Sequence, residues 1–187
     1  FRDTSQFKAQ HSLLNSSELS SKLHQVKFPA TSKLISFDVT NLFTNIPVAR
    51  TVNIMTDLLQ QNHTPPAVID EFRVLITQCT SKNLCTFRGT TYVFPDGLPA
   101  GGPLSMLVAE VFVDHLETAI LRSSPYSKFI HFWARYMDHI LCVWTGNVHD
   151  IQSFLHELNN FDPDINFSLE LGSQAINFID LSIELTD

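Results

Sequence analysis

The chain has 187 residues, 44% of them hydrophobic and 17% charged, with a formal net charge of −7. That length predicts one domain, or two small ones, able to bury a core, and so few charges exclude a charge-driven disordered chain. The excess of acidic over basic side chains, 19 against 12, argues against a stand-alone nucleic-acid binder, which carries a basic surface.

Residues 1–33 are polar and Ser-rich, including NSSELSSKLHQ, and predict a loosely ordered arm or a short helix outside the core. LISFDV (34–39) is apolar and β-prone, and predicts a buried strand running into a turn over TNLFTNIP. Helical spacing follows from Val48 to Gln61 through Val52, Met55, Leu58 and Leu59. Thr64 and Pro65 mark the start of a second helix, with Val68, Phe72, Leu75 and Ile76 on one face, to about Thr80. LCTFRGTTYVF (84–94) predicts two strands around an Arg-Gly turn. The Gly- and Pro-dense DGLPAGGPLS (96–105) leads into a long amphipathic helix, MLVAEVFVDHLETAIL, which SSPYS (123–127) ends. KFIHFWARY and ILCVWT, separated by Met137, Asp138 and His139, predict a tight β-hairpin with a polar tip. Residues 148–160 predict a helix with Ile151, Phe154, Leu155 and Leu158 on one side. INFSLEL and AINFIDLSIEL alternate as two more strands, joined at Gly172 and Ser173.

With residues 62–95 taken as a helix-and-hairpin insertion, the order is β-α-β-β-α-β. That is an α+β class of the split βαβ kind, a ferredoxin-like sheet with helices on one face. No apolar run reaches the roughly 18 residues of a membrane span; the pattern at 104–113 is interrupted by Ser105 and Glu110 and closed by Asp114. The chain begins at Phe1 with no basic-then-apolar leader, and reads as a fragment or a processed chain. Cys79, Cys85 and Cys142 form no Cys-x-x-Cys motif and predict buried thiols in a reducing compartment.

Asp38 closes the first apolar strand and Asp138 sits at the hairpin tip. In a split βαβ sheet those strands can be neighbours. Two carboxylates meeting in a cleft repel unless a cation sits between them. Mg²⁺ takes oxygen ligands and leaves positions open for phosphates, and two such ions would clamp the attacking and leaving oxygens of a phosphoryl transfer. The alternative is that both aspartates are turn formers at strand ends.

Four strings occur in order: SFDVTNLFTNIP (36–47), DGLPAGGPLSMLVAE (96–110), WARYMDHILCVW (133–144) and INFSLELGSQAINFIDLSIEL (165–185). Together, over about residues 28–187, they resemble the palm and part of the fingers of a reverse transcriptase, and those of Penelope-like retroelements most closely. The resemblance implies an RNA-directed DNA polymerase core with two Mg²⁺ ions, or Mn²⁺, acting on an RNA template, a DNA primer and dNTPs inside the cell, in nucleus or cytoplasm. It implies that Asp38 and Asp138 are metal ligands and that Phe43 is the aromatic gate under the sugar. The backbone at Asn41 and Leu42 would face the triphosphate, Gly97, Gly101 and Pro103 would form the turn against nucleotide and template, and Tyr136 would open the Tyr-x-Asp-Asp hairpin. Phe178, Ile179 and Asp180 resemble the hairpin that holds the primer end.

The departures are as informative. His139 stands where the family has a second aspartate, Ala100 where it has Met and Met106 where it has Pro; the usual preceding Gln is absent around Phe94 and Pro95. The thumb and endonuclease of the family are expected to be absent from this chain. A second reading is therefore a catalytically inactive or domesticated reverse-transcriptase-like domain that serves as a binding scaffold. Elsewhere, Glu110, Asp114 and Glu117 at helical spacing predict a solvated helix face. His131 is read as a strand residue, Trp133 and Trp144 as core, and Arg88 as a surface turn or a template contact. Eight scattered histidines predict no zinc site.

Overall fold

In the computed structural model, which describes residues 1–81, 83–93, 97–172 and 175–185, the elements run α1 (Arg2–Ser5), α2 (Ser16–His24), β1 (Lys33–Thr40), α3 (Leu42–Asn45), α4 (Val48–Gln61) and α5 (Pro66–Thr80). They continue with β2 (Leu84–Phe87), β3 (Thr90–Val93), α6 (Ser105–Ser123), β4 (Ile130–Tyr136), β5 (His139–Trp144), α7 (Val148–Phe161), β6 (Asn166–Leu171), β7 (Ala175–Phe178) and β8 (Leu181–Glu184). The expectations attached to Phe94, Pro95, Asp96 and Ser173 lie outside the described residues. No helix among the described residues is long and apolar enough to cross a membrane.

The chain divides into two compact units, one of residues 1–10 and 41–116, the other of residues 11–40 and 117–187. In the first, α4 buries Val52, Met55 and Leu59, a stripe at helical spacing. Arg73 on α5 donates to Asn53 Oδ1 at 2.7 Å and to Thr56 Oγ1 at 2.8 Å, which fastens α5 to α4. Pro66 occupies the first turn of α5, where its missing N–H would have no helical partner anyway. Phe1 stacks on Phe72 with ring centroids 5.5 Å apart. The β2–β3 hairpin turns at Arg88 and Gly89, both left-handed, as an Arg-Gly turn predicts.

The second unit is built on a four-stranded sheet of order β4-β5-β1-β6, antiparallel throughout, the order a split βαβ unit produces. Strand β1 is central and covered on both faces, so it reads as an almost unbroken apolar run. Ile35, Phe37, Cys142 and Trp144 share one face, and Phe154 of α7 packs edge-on to Phe37 and stacks on Trp144 at 5.6 Å. Trp133 and Trp144 are core, as read. Helix α7 starts on a capping box: Asn147 Oδ1 accepts from the Asp150 N–H at 2.8 Å, and Asp150 accepts from the Asn147 N–H at 3.3 Å.

Five expectations are corrected here. Residues 11–33 are not peripheral: Leu13 and Leu19 are buried with Leu34, Ala134, Leu141, Val143, Ile176 and Phe178, on the sheet face opposite Phe154. Helices therefore do not keep to one face; α2 and the β7–β8 hairpin cover the second. The run 175–185 is two strands rather than one, because Ile179 adopts a left-handed φ of 55° and the chain folds back. Strand β6 pairs with β1 and not with the run that follows it. Cys79 is exposed, since α5 buries only Ile76 and Thr80.

Leu19 is fully enclosed, so Leu19→Ala should lower unfolding free energy by about 2–5 kcal/mol in chemical denaturation. An effect below about 0.5 kcal/mol would return the arm to the periphery. Burial pushes the Cys142 thiol up, out of its ordinary range, while Cys79 is exposed. Because the thiolate is the reactive form, peptide mapping after brief treatment with a thiol reagent at pH 8 should find Cys79 modified and Cys142 untouched until the chain is unfolded.

Candidate functional site

The antiparallel register of β1 against β5 runs Ile35 to Cys142, Phe37 to Ile140 and Asp38 to His139. Strand alternation then puts Leu34, Ser36 and Asp38 on one face and Ile35, Phe37 and Val39 on the other. Asp38 thus arrives at the sheet end beside the β4–β5 turn, between His139 on one side and Ser168 on the other. That turn is two residues long, with Tyr136 paired to His139 and Met137 left-handed at φ 56°. The Val39 N–H donates to the Asp138 carbonyl at 2.9 Å and ties the tip to β1.

Asp38 and Asp138 are brought together, but the ring of His139 lies between them. Nδ1 makes a short contact with Asp38 Oδ1, and Nε2 is 3.6 Å from Asp138 Oδ1. The side chains of Asp38, Asp138 and His139 are 44%, 40% and 54% exposed, so the bridge adds little to stability. What it changes is chemistry. A second carboxylate at this position would add an oxygen ligand and a negative charge. Imidazole adds neither, and when protonated it is itself the cation between the two acids. Tyr136 is partly buried against the cluster that contains Leu13 and Phe178.

The remaining candidates belong to the first unit. Asn41 is left-handed at φ 51° and precedes the single turn of α3. Leu42 is buried, so its side chain serves the core and only its backbone is free for a ligand. Phe43 is half-buried, and its carbonyl accepts from the Leu98 N–H at 2.7 Å, which seats the Gly-rich loop on α3. Gly97 is required there: at φ +76° a Cβ would lie 2.2 Å from the Thr44 carbonyl oxygen. Asn83 donates to the Gly97 carbonyl at 2.8 Å. Gly101, at φ +82°, faces open space, and Pro103 is exposed in the turn before α6.

The solvated-face reading of α6 fails. Glu110 pairs with Arg2, Asp114 accepts from the Gln10 N–H at 2.6 Å, and Glu117 is buried. Glu117 Oε1 accepts from Trp133 Nε1 at 2.9 Å and Oε2 from Arg135 Nε at 3.0 Å. Arg135 escaped notice in the sequence, although it shares strand parity with the buried Trp133 and so had to point inward.

No protein-family model and no curated protein matches the sequence. Solved structures do match. The structure of apo telomerase from Candida tropicalis aligns with a TM-score of 0.68 at 10% identity, over 94% of this chain and 36% of that one. Telomerase from the same organism in complex with the TWJ fragment of telomeric RNA gives a TM-score of 0.66 at 13% identity, over 94% and 33%. Telomerase from Candida albicans with a TWJ fragment of telomeric RNA gives 0.65 at 13%, over 100% and 36%. The chain spans about a third of the length of the telomerase chains it matches. At such identities the likeness is one of fold, and the fold is reverse-transcriptase-like.

Gly97→Ala should destabilise the first unit by about 2 kcal/mol or more, since it combines a left-handed φ with a backbone clash. Gly101→Ala, left-handed but unobstructed, should lose only about 1 kcal/mol. Equal losses in denaturant titrations of the two variants would mean that close packing of the loop on Thr44 contributes nothing.

Proposed function

We propose that the chain is the palm and part of the fingers of a reverse-transcriptase-like protein of the Penelope-like kind, closed to polymerase chemistry by its own histidine and retained as an RNA-binding scaffold. One observation carries this reading: the His139 imidazole stands between Asp38 and Asp138. Mg²⁺ demands oxygen donors and near-ideal octahedral geometry. The donor set here is two carboxylates and an imidazole, with Asp38 Oδ1 already engaged by the ring. Among the described residues no group of three or more His, Cys, Asp or Glu side chains is arranged to hold a metal ion. The residues as arranged do not fit a pair of Mg²⁺ ions, and no catalytic step follows from them. Against the acidic balance of 19 to 12, RNA is the ligand favoured by the likeness to telomerase solved with an RNA fragment. The Penelope-like assignment rests on the four strings, above all Asn45-Ile46-Pro47 after Asp38.

The polymerase reading keeps one observation in its favour. The register sets Asp38 opposite residue 139 and beside Asp138, so a carboxylate at residue 139 would complete an acidic tip. In that reading Asp38 and Asp138 hold the metals, Phe43 gates the sugar, and Asn41, Leu42, Gly97, Gly101, Pro103 and Tyr136 line the dNTP and primer–template.

The full chain and its His139→Asp variant separate the two. Titration calorimetry should show Mg²⁺ binding at least about tenfold weaker in the unaltered chain than in the variant. Mn²⁺, which tolerates imidazole better, should bind both. Fluorescence anisotropy should give the same RNA affinity for both, and primer extension on an RNA template should be absent for the His139 form. Mg²⁺-dependent extension by that form would replace the scaffold reading with the polymerase one, and failure of either protein to bind RNA would remove the scaffold reading.

A further inference from the structure

We infer that Arg135 is a positioning residue for the hairpin tip that carries Asp138 and His139, and that Glu117 acts on the tip through it. The side chains of Arg135 and Glu117 are 3% and 1% exposed. Both oxygens of Glu117 are used, one by Trp133 Nε1 and one by Arg135 Nε. The guanidinium then reaches forward: Arg135 Nη1 donates to the Met137 carbonyl at 3.1 Å. Met137 is the left-handed residue of the turn, a conformation that a side chain larger than glycine adopts only with support. The strand position from which Arg135 reaches is itself anchored. Its N–H donates to the His11 carbonyl at 2.8 Å, and its carbonyl accepts from the Leu13 N–H at 2.7 Å.

Stability does not explain this pair. Two apolar residues of similar size would fill the same space without desolvating two charges, and Arg135 Nη2 is left buried with no hydrogen-bond partner among the described residues. An apolar pair could not hold the Met137 carbonyl. The charge is kept where it fixes the turn, and the turn fixes Asp138 and His139 against Asp38. Neither RNA binding nor polymerase activity is needed for this role, so its failure and the failure of the scaffold reading are distinguishable.

The test uses the ¹⁵N-labelled full chain with amide hydrogen exchange and the His139 ring ¹⁵N signals at one fixed pH. Val39 N–H, which donates to the Asp138 carbonyl, reports the tip; Cys142 N–H reports the middle of the sheet. In Arg135→Lys, which keeps the charge but not the reach, and in Glu117→Gln, exchange at Val39 should rise at least tenfold and the His139 ring signals should move, with Cys142 unchanged. Trp133→Phe, which removes a Glu117 bond but leaves Arg135 on Met137, should change neither reporter. The positioning role is overturned if Val39 and the ring are unaffected in Arg135→Lys, or if Trp133→Phe moves them as far. It is overturned equally if Arg135→Lys and Glu117→Gln both unfold while Trp133→Phe stays folded, because the pair would then be a stability element.

Discussion

The register of β1 on β5 governs which side chains meet. A slip of one residue would carry Asp38 to the face packed by Phe154 and bring Phe37 out beside the hairpin tip. Burying a lone carboxylate among aromatic rings is costly, so Ile35, Phe37, Cys142 and Trp144 enforce the register from one side, and Leu34, Leu141 and Val143 enforce it from the other. The acidic tip is thus a by-product of core packing. No interaction between Asp38 and Asp138 has to hold it together, which is fortunate, because two carboxylates repel.

Into that repulsion the sequence places an imidazole. Its half-exposed contacts are worth about 0–1 kcal/mol at most, so the fold does not depend on them. The deeper electrostatic investment lies behind the tip, in Glu117 and Arg135, where water is excluded. The two layers have different tasks. The buried pair reaches the turn from behind, through the Met137 carbonyl, and the exposed histidine stands between the two carboxylates at its tip.

Much of this was legible in the sequence. Strands covered on both faces leave continuous apolar runs, so LISFDV and ILCVWT declared themselves, and Met137-Asp138-His139 between two such runs marked the hairpin tip, of which Met137 and Asp138 are the turn and His139 opens β5. The four ordered strings led to the fold that the telomerase structures share. Leu13 and Leu19 were hidden because a Ser-rich segment with isolated leucines has no periodicity to read. Apolar alternation runs straight across the turn at Ile179, so only the resemblance of Phe178, Ile179 and Asp180 to a hairpin marked it. Glu117 imitated a wet helix stripe, since its partner lies 18 residues on, across a helix–strand contact that spacing cannot reveal. His139 was visible as a departure, but its place between two carboxylates needed the register.

The meeting of residues 11–13 with Arg135 has a further consequence. Strand β4 is the outer strand of the sheet, and an outer strand offers bare N–H and C=O groups to any other chain. The arm takes up both groups of Arg135 and lays Leu13 over the cluster beneath. A chain trimmed to begin after Leu13 uncovers a strand edge and an apolar patch side by side, the combination from which intermolecular sheets grow. The least structured-looking stretch of the sequence is therefore what covers this edge at Arg135, and solubility is the first property its loss would lower.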